Sequence, residues 1–92
     1  MIVRIATEGQ YELLGSDEET LRELDEKAVS ACEASDEQRF HEAFARLLDF
    51  VRTTGQALSE DRLEPSDLIL PPPDISLEEA RAEFTGEGLI PS

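Results

Sequence analysis

The sequence predicts a small α+β domain in which an N-terminal β-hairpin packs on an antiparallel two-helix hairpin, followed by an irregular Pro-rich segment and a short C-terminal helix. Three observations point there. Residues 2–14 alternate apolar and polar side chains at the period of a strand. Residues 16–34 and 36–54 repeat apolar side chains at about 100° per residue, and each stretch opens on a capping residue. Pro71-Pro72-Pro73 then interrupts regular structure until Ser76 opens a last helical stretch. At 92 residues the chain holds one core, hence a single acidic domain over residues 1–92.

In the hairpin, Val3 and Ile5 alternate with Ile2, Arg4 and Ala6, and Tyr11 and Leu13 alternate with Gln10, Glu12 and Leu14. A three-residue loop of Thr7, Glu8 and Gly9, with Gly9 left-handed, pairs Ile5 with Tyr11, Arg4 with Glu12 and Val3 with Leu13. Such a ribbon is marginal alone, so it must lie on helices or gain a strand. Its open edge could also pair two copies of the chain.

Ser16 is the expected N-cap of the first helix, with Glu19 completing a capping box and Asp17, Glu18 and Glu19 at the positive end of the dipole. Its apolar positions are Leu21, Leu24, Ala28, Ala31 and Cys32, most of them small. Ser35, with Gln38, is the expected cap of the second helix, and so short a connection forces the two helices to fold back. This second helix organises the core. Phe40, Phe44, Leu47, Leu48 and Val51 share one face, which Ala43 and Phe50 widen to roughly 160°. Glu42 and Arg46 stand at the favourable i, i+4 spacing on the solvent side, and Gly55 reads as a left-handed C-cap.

Residues 63–75 read as an extended, irregular segment: a turn at Glu64-Pro65-Ser66-Asp67, a short run Leu68-Ile69-Leu70 that either adds a third strand at the hairpin edge or, the favoured reading for so short a run, lies on the helices, then stiff polyproline. Ser76 and Glu79 form a capping box for a helix over 77–85, striped by Leu77, Ala80 and Phe84. In the tail, 86–92, Leu89 and Ile90 suggest docking rather than fraying.

The formal net charge of −14 is the most unusual property of the chain. Self-repulsion of that size opposes compaction and makes stability salt-dependent. Seven of the eight basic residues are Arg, scattered along the sequence, so no basic patch is expected and nucleic acid is an improbable partner. Direct insertion into a membrane is likewise not expected, because no apolar run is long enough to span one and no signal peptide opens the chain. A lone cysteine, Cys32, fits a reducing cytoplasm.

No constellation points to catalysis or to a cofactor. His41 and Glu37, one turn apart, are too few for the usual metal sites. Cys32 shares the inner face of its helix with Leu21, Leu24 and Ala28 and reads as a small buried hydrophobe. The acids Asp17, Glu18, Glu19, Glu23, Asp25 and Glu26 read as a solvated face, and no phosphate-binding glycine motif occurs. The expectation is a chain without enzymatic activity, metal or cofactor.

The order of segments resembles the PspA-associated protein family, PspAA, across essentially the whole chain. The sharpest parts are Glu8-Gly9-Gln10-Tyr11, Pro65-Ser66-Asp67-Leu68-Ile69-Leu70-Pro71-Pro72 and Glu87-Gly88-Leu89-Ile90-Pro91. The resemblance implies an accessory or adaptor role in the membrane-stress (phage-shock) response built around PspA, a coiled-coil protein that assembles on damaged membranes. It implies a protein partner, PspA, and recruitment to the inner face of the membrane through that partner. Candidate contact residues are Ala43, Leu47 and Phe50, a flank of the second helix that needs a cover from residues 68–70, from the third helix or from a partner, together with Leu68, Leu70, Leu89 and Ile90. The competing expectation is an acidic regulator that occupies a nucleic-acid-binding partner by charge mimicry. A metal-dependent enzyme using His41 and Glu37 is a minor third.

Overall fold

A computed structural model describes residues 1–59 and 64–83 of the chain. The elements are β1 (Ile2–Ile5), β2 (Gly9–Glu12), a 3-10 turn (Gly15–Asp17), α1 (Glu18–Glu33), α2 (Glu37–Thr54), β3 (Gln56–Ala57), β4 (Leu68–Leu70) and α3 (Leu77–Glu83). The expected α+β arrangement is present: a hairpin, two packed helices, a further strand and a short last helix. Phe84 and the tail expected to dock lie outside the described residues.

The hairpin register differs from expectation by two residues. Val3 faces Tyr11, Arg4 faces Gln10 and Ile5 faces Gly9, so the loop is Ala6-Thr7-Glu8 and no Arg4–Glu12 pair forms. A slip of two leaves every side chain on its expected face; Val3, Ile5 and Leu13 are still buried. What the earlier loop gains is one more rung. The Leu13 amide donates to the Met1 carbonyl at 2.8 Å and the N-terminal ammonium donates to the Leu13 carbonyl at 3.0 Å. The turn itself closes with the Glu8 amide on the Ile5 carbonyl at 3.0 Å, which places Thr7 at φ 72° as well as Gly9 at φ 140°.

Leu68–Leu70 is a strand and not merely a packed segment. It lies parallel to β1, pairing Val3 with Leu68 and Ile5 with Leu70, and the sheet order is β3-β2-β1-β4. Parallel neighbours need a long crossover; here it runs through β2, both long helices and β3. Three residues suffice because hydrogen bonds frame them: the Asp67 amide donates to the Ile2 carbonyl, and the Ala6 amide to the Leu70 carbonyl. Both edges of the hairpin are thus taken within the chain, β1 by β4 and β2 by β3 at Tyr11 and Glu12.

The helix ends depart from expectation too. Ser16 lies in the 3-10 turn and makes no cap; α1 starts behind Asp17, whose side chain caps nothing. Ser35, at φ 56°, closes α1 instead of opening α2. Its amide donates to the Cys32 carbonyl at 3.1 Å and the Asp36 amide to the Ala31 carbonyl at 3.0 Å, the two bonds of a Schellman motif with Ser35 in the left-handed position. Asp36 then caps α2, accepting from the Arg39 amide at 3.1 Å. One tripeptide therefore ends one helix and starts the next. Gly55 is extended (φ −74°, ψ 155°), not left-handed. It is small for another reason: an added Cβ would lie 2.5 Å from the Val51 carbonyl oxygen and 3.0 Å from Tyr11 Cβ, so the end of α2 sits directly against β2. At α3 the capping box forms as expected, with the Glu79 amide donating to Ser76 Oγ at 3.2 Å and the Ser76 amide to Glu79 Oε1 at 3.3 Å.

The core lies between the sheet and the helices. Phe40, Phe44, Leu47, Leu48 and Val51 of α2 are all buried, against Val3, Ile5 and Leu13 from the hairpin and Leu68 and Leu70 from β4. From α1 come Leu21, Ala28, Val29, Ala31 and Cys32, with Leu24 half-buried. Asp25, expected on the solvated face, is buried at 3 % exposure.

Candidate partner-binding surface

The apolar flank expected to meet a partner is mostly consumed by the domain itself. Leu47 and Leu70 are fully buried and Leu68 is nearly so, because β4 joins the sheet and turns both of its leucines inward. These three leave the candidate contact surface. Ala43 and Phe50 remain half-buried at the margin of the core, and Leu89 and Ile90 lie outside the described residues. The large apolar side chains most exposed among the described residues are Leu14 and Ile69, at 71 % and 60 %. Exposed apolar side chains of this kind are ordinary on a protein surface.

The polar side chains in the distinctive loops are joined to each other. Gln10, buried on the outer face of the sheet, donates through Nε2 to the Glu64 carbonyl at 2.6 Å and to Ser66 Oγ at 2.8 Å. Next to it, the Ile2 amide donates to the Asp67 carboxylate at 2.8 Å. Glu8, in the hairpin turn, takes a two-pronged contact from Arg52 at the end of α2, with Nε at 2.9 Å and Nη2 on the second oxygen; Arg52 also reaches Asp49 at 3.1 Å. These hydrogen bonds raise the Arg52 pKa further above its usual value, with the Glu8 bond as the largest cause. The arrangement fastens β4 and α2 to the hairpin. It leaves no open acid–base pair at these positions.

The outer side of the helical hairpin is different. Between α1 and α2 runs a groove of about 300 Å³, lined by Leu24, Lys27 and Ala31 on one side and Arg39, Glu42, Ala43 and Arg46 on the other. Its apolar part is small and half-exposed at Leu24 and Ala43. Lys27, Arg39 and Arg46 make no ion pair among the described residues. Glu42 and Arg46 do not close on each other in spite of their spacing; Glu42 accepts instead from Gln38 at 3.5 Å. The basic residues are therefore not all dispersed. The fold-back at Ser35 lays Lys27 across from Ala43, and Arg39 and Arg46 stand one helical turn to either side of Ala43. That mirror relation was present in the sequence once the helices were known to fold back, but counting basic residues along the chain hides it.

His41 is exposed, with Nε2 3.7 Å from Glu37 Oε1. Among the described residues no three His, Cys, Asp or Glu side chains gather as a metal site would require. Burial raises the pKa of the Cys32 thiol, the largest influence on it, which keeps it protonated and a poor nucleophile at neutral pH.

A family model for PspA-associated proteins, PspAA, matches residues 1–92, the whole chain. The chain belongs to the PspAA family. No curated protein and no solved structure gives a significant match. In this PspAA protein, two of the three stretches that carry the resemblance, 8–11 and 65–72, are brought together through Gln10 and Ser66. The polar residues Gln10 and Ser66 thus help to hold the sheet together.

Proposed function

We propose that this PspAA protein is a non-enzymatic accessory protein that binds PspA, or a related coiled-coil partner, and acts with it in the membrane-stress response. The observation that carries this reading is the family match over the entire chain, whose description names association with PspA. The charge of the chain supports a protein contact over a lipid one: a net −14 is repelled by an anionic bilayer. No helix among the described residues is long and apolar enough to cross a membrane. Any placement at the membrane surface then comes through the partner.

The test is co-purification of the chain with a PspA from the same source, followed by size-exclusion chromatography of the mixed pure proteins. Co-elution supports the reading. Separate elution at every salt concentration tried would remove it.

A further inference from the structure

We propose that the groove between α1 and α2 is the docking site for a segment of the protein partner that carries carboxylates around a small apolar anchor. Lys27, Arg39 and Arg46 receive the carboxylates, and Leu24, Ala31 and Ala43 form the seat for the anchor. This deepens the reading of the chain as a PspA-binding protein and rests on it.

The charge distribution is the main argument. The chain has 22 acidic and eight basic residues, so a basic side chain meets a surplus of carboxylates. Arg52 is held by both Glu8 and Asp49, whereas Arg4 and Arg81 stand apart without an ion pair among the described residues. Lys27, Arg39 and Arg46 likewise have no ion-pair partner among the described residues, but all three line one groove. The one carboxylate in the lining, Glu42, is turned to Gln38. Unpaired cations beside half-exposed apolar carbon are complementary to an acidic amphipathic segment, and pairing there is stronger than on open surface because the occupant excludes water.

Size and shape agree. A volume of about 300 Å³ is roughly that of ten waters, room for one or two inserted side chains. Alanines at Ala31 and Ala43 keep the floor low, so the backbone of an incoming helix can come close. A polyphosphate chain is a poorer occupant, because the overall negative charge repels it along its whole length while only three cations attract it. The acidic, apolar-centred segment needs only local attraction and gains from covering Leu24 and Ala43.

Lys27 is the sole lysine of the chain, so a cross-link mapped to its side chain by mass spectrometry reports on the groove. The full-length protein is mixed with the purified PspA partner and treated with a carbodiimide, which joins an amine to a carboxylate in direct contact. The expected product is an intermolecular amide from Lys27 to an Asp or Glu of the partner. Lys27→Arg should abolish that product and keep binding. In parallel, Arg39→Gln with Arg46→Gln should weaken the complex about tenfold, while Arg4→Gln with Arg81→Gln, the same change in net charge elsewhere, should leave it within about twofold. Thermal melts confirm that both doubles fold. A complex that forms without the Lys27 cross-link, or that weakens equally with both doubles, overturns the groove alone and leaves PspA binding intact. A wild-type protein that forms no complex overturns both.

Discussion

Gly55 separates two accounts of how α2 ends, and its replacement can be worked through from the structure. Read as a left-handed cap, it would tolerate Asn better than Ala, since Asn adopts that conformation more readily. The structure has it extended at φ −74°, where any residue is allowed, but with no space for a side chain. A Cβ would meet the Val51 carbonyl oxygen at 2.5 Å, Tyr11 Cβ at 3.0 Å and Leu13 Cδ2 at 3.3 Å. Carbon–oxygen contacts are comfortable only from about 3.3 Å, so the turn must open by nearly an ångström. The same Val51 carbonyl accepts the Gly55 amide at 2.9 Å, and opening endangers that bond. Overpacking of this kind costs about 1–3 kcal/mol. Taking roughly 2 kcal/mol, and roughly 4–8 °C per kcal/mol for a domain of this size, Gly55→Ala should lower Tm by about 8–16 °C. Gly55→Asn carries the same Cβ and should lose at least as much. Melts of both variants by circular dichroism decide it: an Asn variant within about 0.5 kcal/mol of wild type would refute the steric argument.

Four further outcomes are expected. Leu70→Ala, at a fully buried position of β4, should cost about 2–5 kcal/mol; a loss under 1 kcal/mol in a denaturant titration would show that β4 is not part of the core. Ser35→Gly should stabilise by about 0.5–1 kcal/mol, because Ser35 holds φ 56° without the freedom of glycine, and a lowered midpoint would argue against the left-handed link. Above the ordinary thiol pKa of 9.0, the unfolded chain gives up the Cys32 proton while the buried thiol keeps it. Its contribution to stability is therefore whole below that pH and declines as pH rises toward the higher folded pKa; the Tm of wild type should fall more steeply than that of Cys32→Ala as pH rises above 9.0. Added salt should raise Tm by screening the −14 charge, and an unchanged midpoint would mean that self-repulsion is minor.

The sequence carried the elements better than their junctions. The face of α2 was legible because five large apolar residues recur at helical spacing, and the α3 capping box because Ser76 and Glu79 have no competitor for the role. Ser16 and Ser35 misled for the opposite reason. Ser16 is drawn into a 3-10 turn, and at Ser35 the neighbouring Asp36 is an equally good cap, which frees Ser35 to end α1. β4 was hidden by its length, since a three-residue strand is fixed by bonds to β1 and by Asp67 on the Ile2 amide, long-range terms with no local signature. The candidate flank followed the same logic: Ala43, Leu47 and Phe50 needed a cover, residues 68–70 were one candidate for it, and Leu47 is fully buried in the core that β4 joins. The groove needed the fold-back of the helices to bring Lys27 opposite Arg39 and Arg46.

The most direct measurement is the affinity of the pure chain for a PspA from the same source by titration calorimetry, across low to high salt. Accessory function predicts a saturable complex that weakens moderately as salt screens the groove's cation–carboxylate contacts and persists at high salt through its apolar anchor. Binding that collapses steeply with salt would favour charge mimicry toward a nucleic-acid-binding protein. No heat of binding at any salt, with both proteins folded, would contradict a PspA-binding role outright.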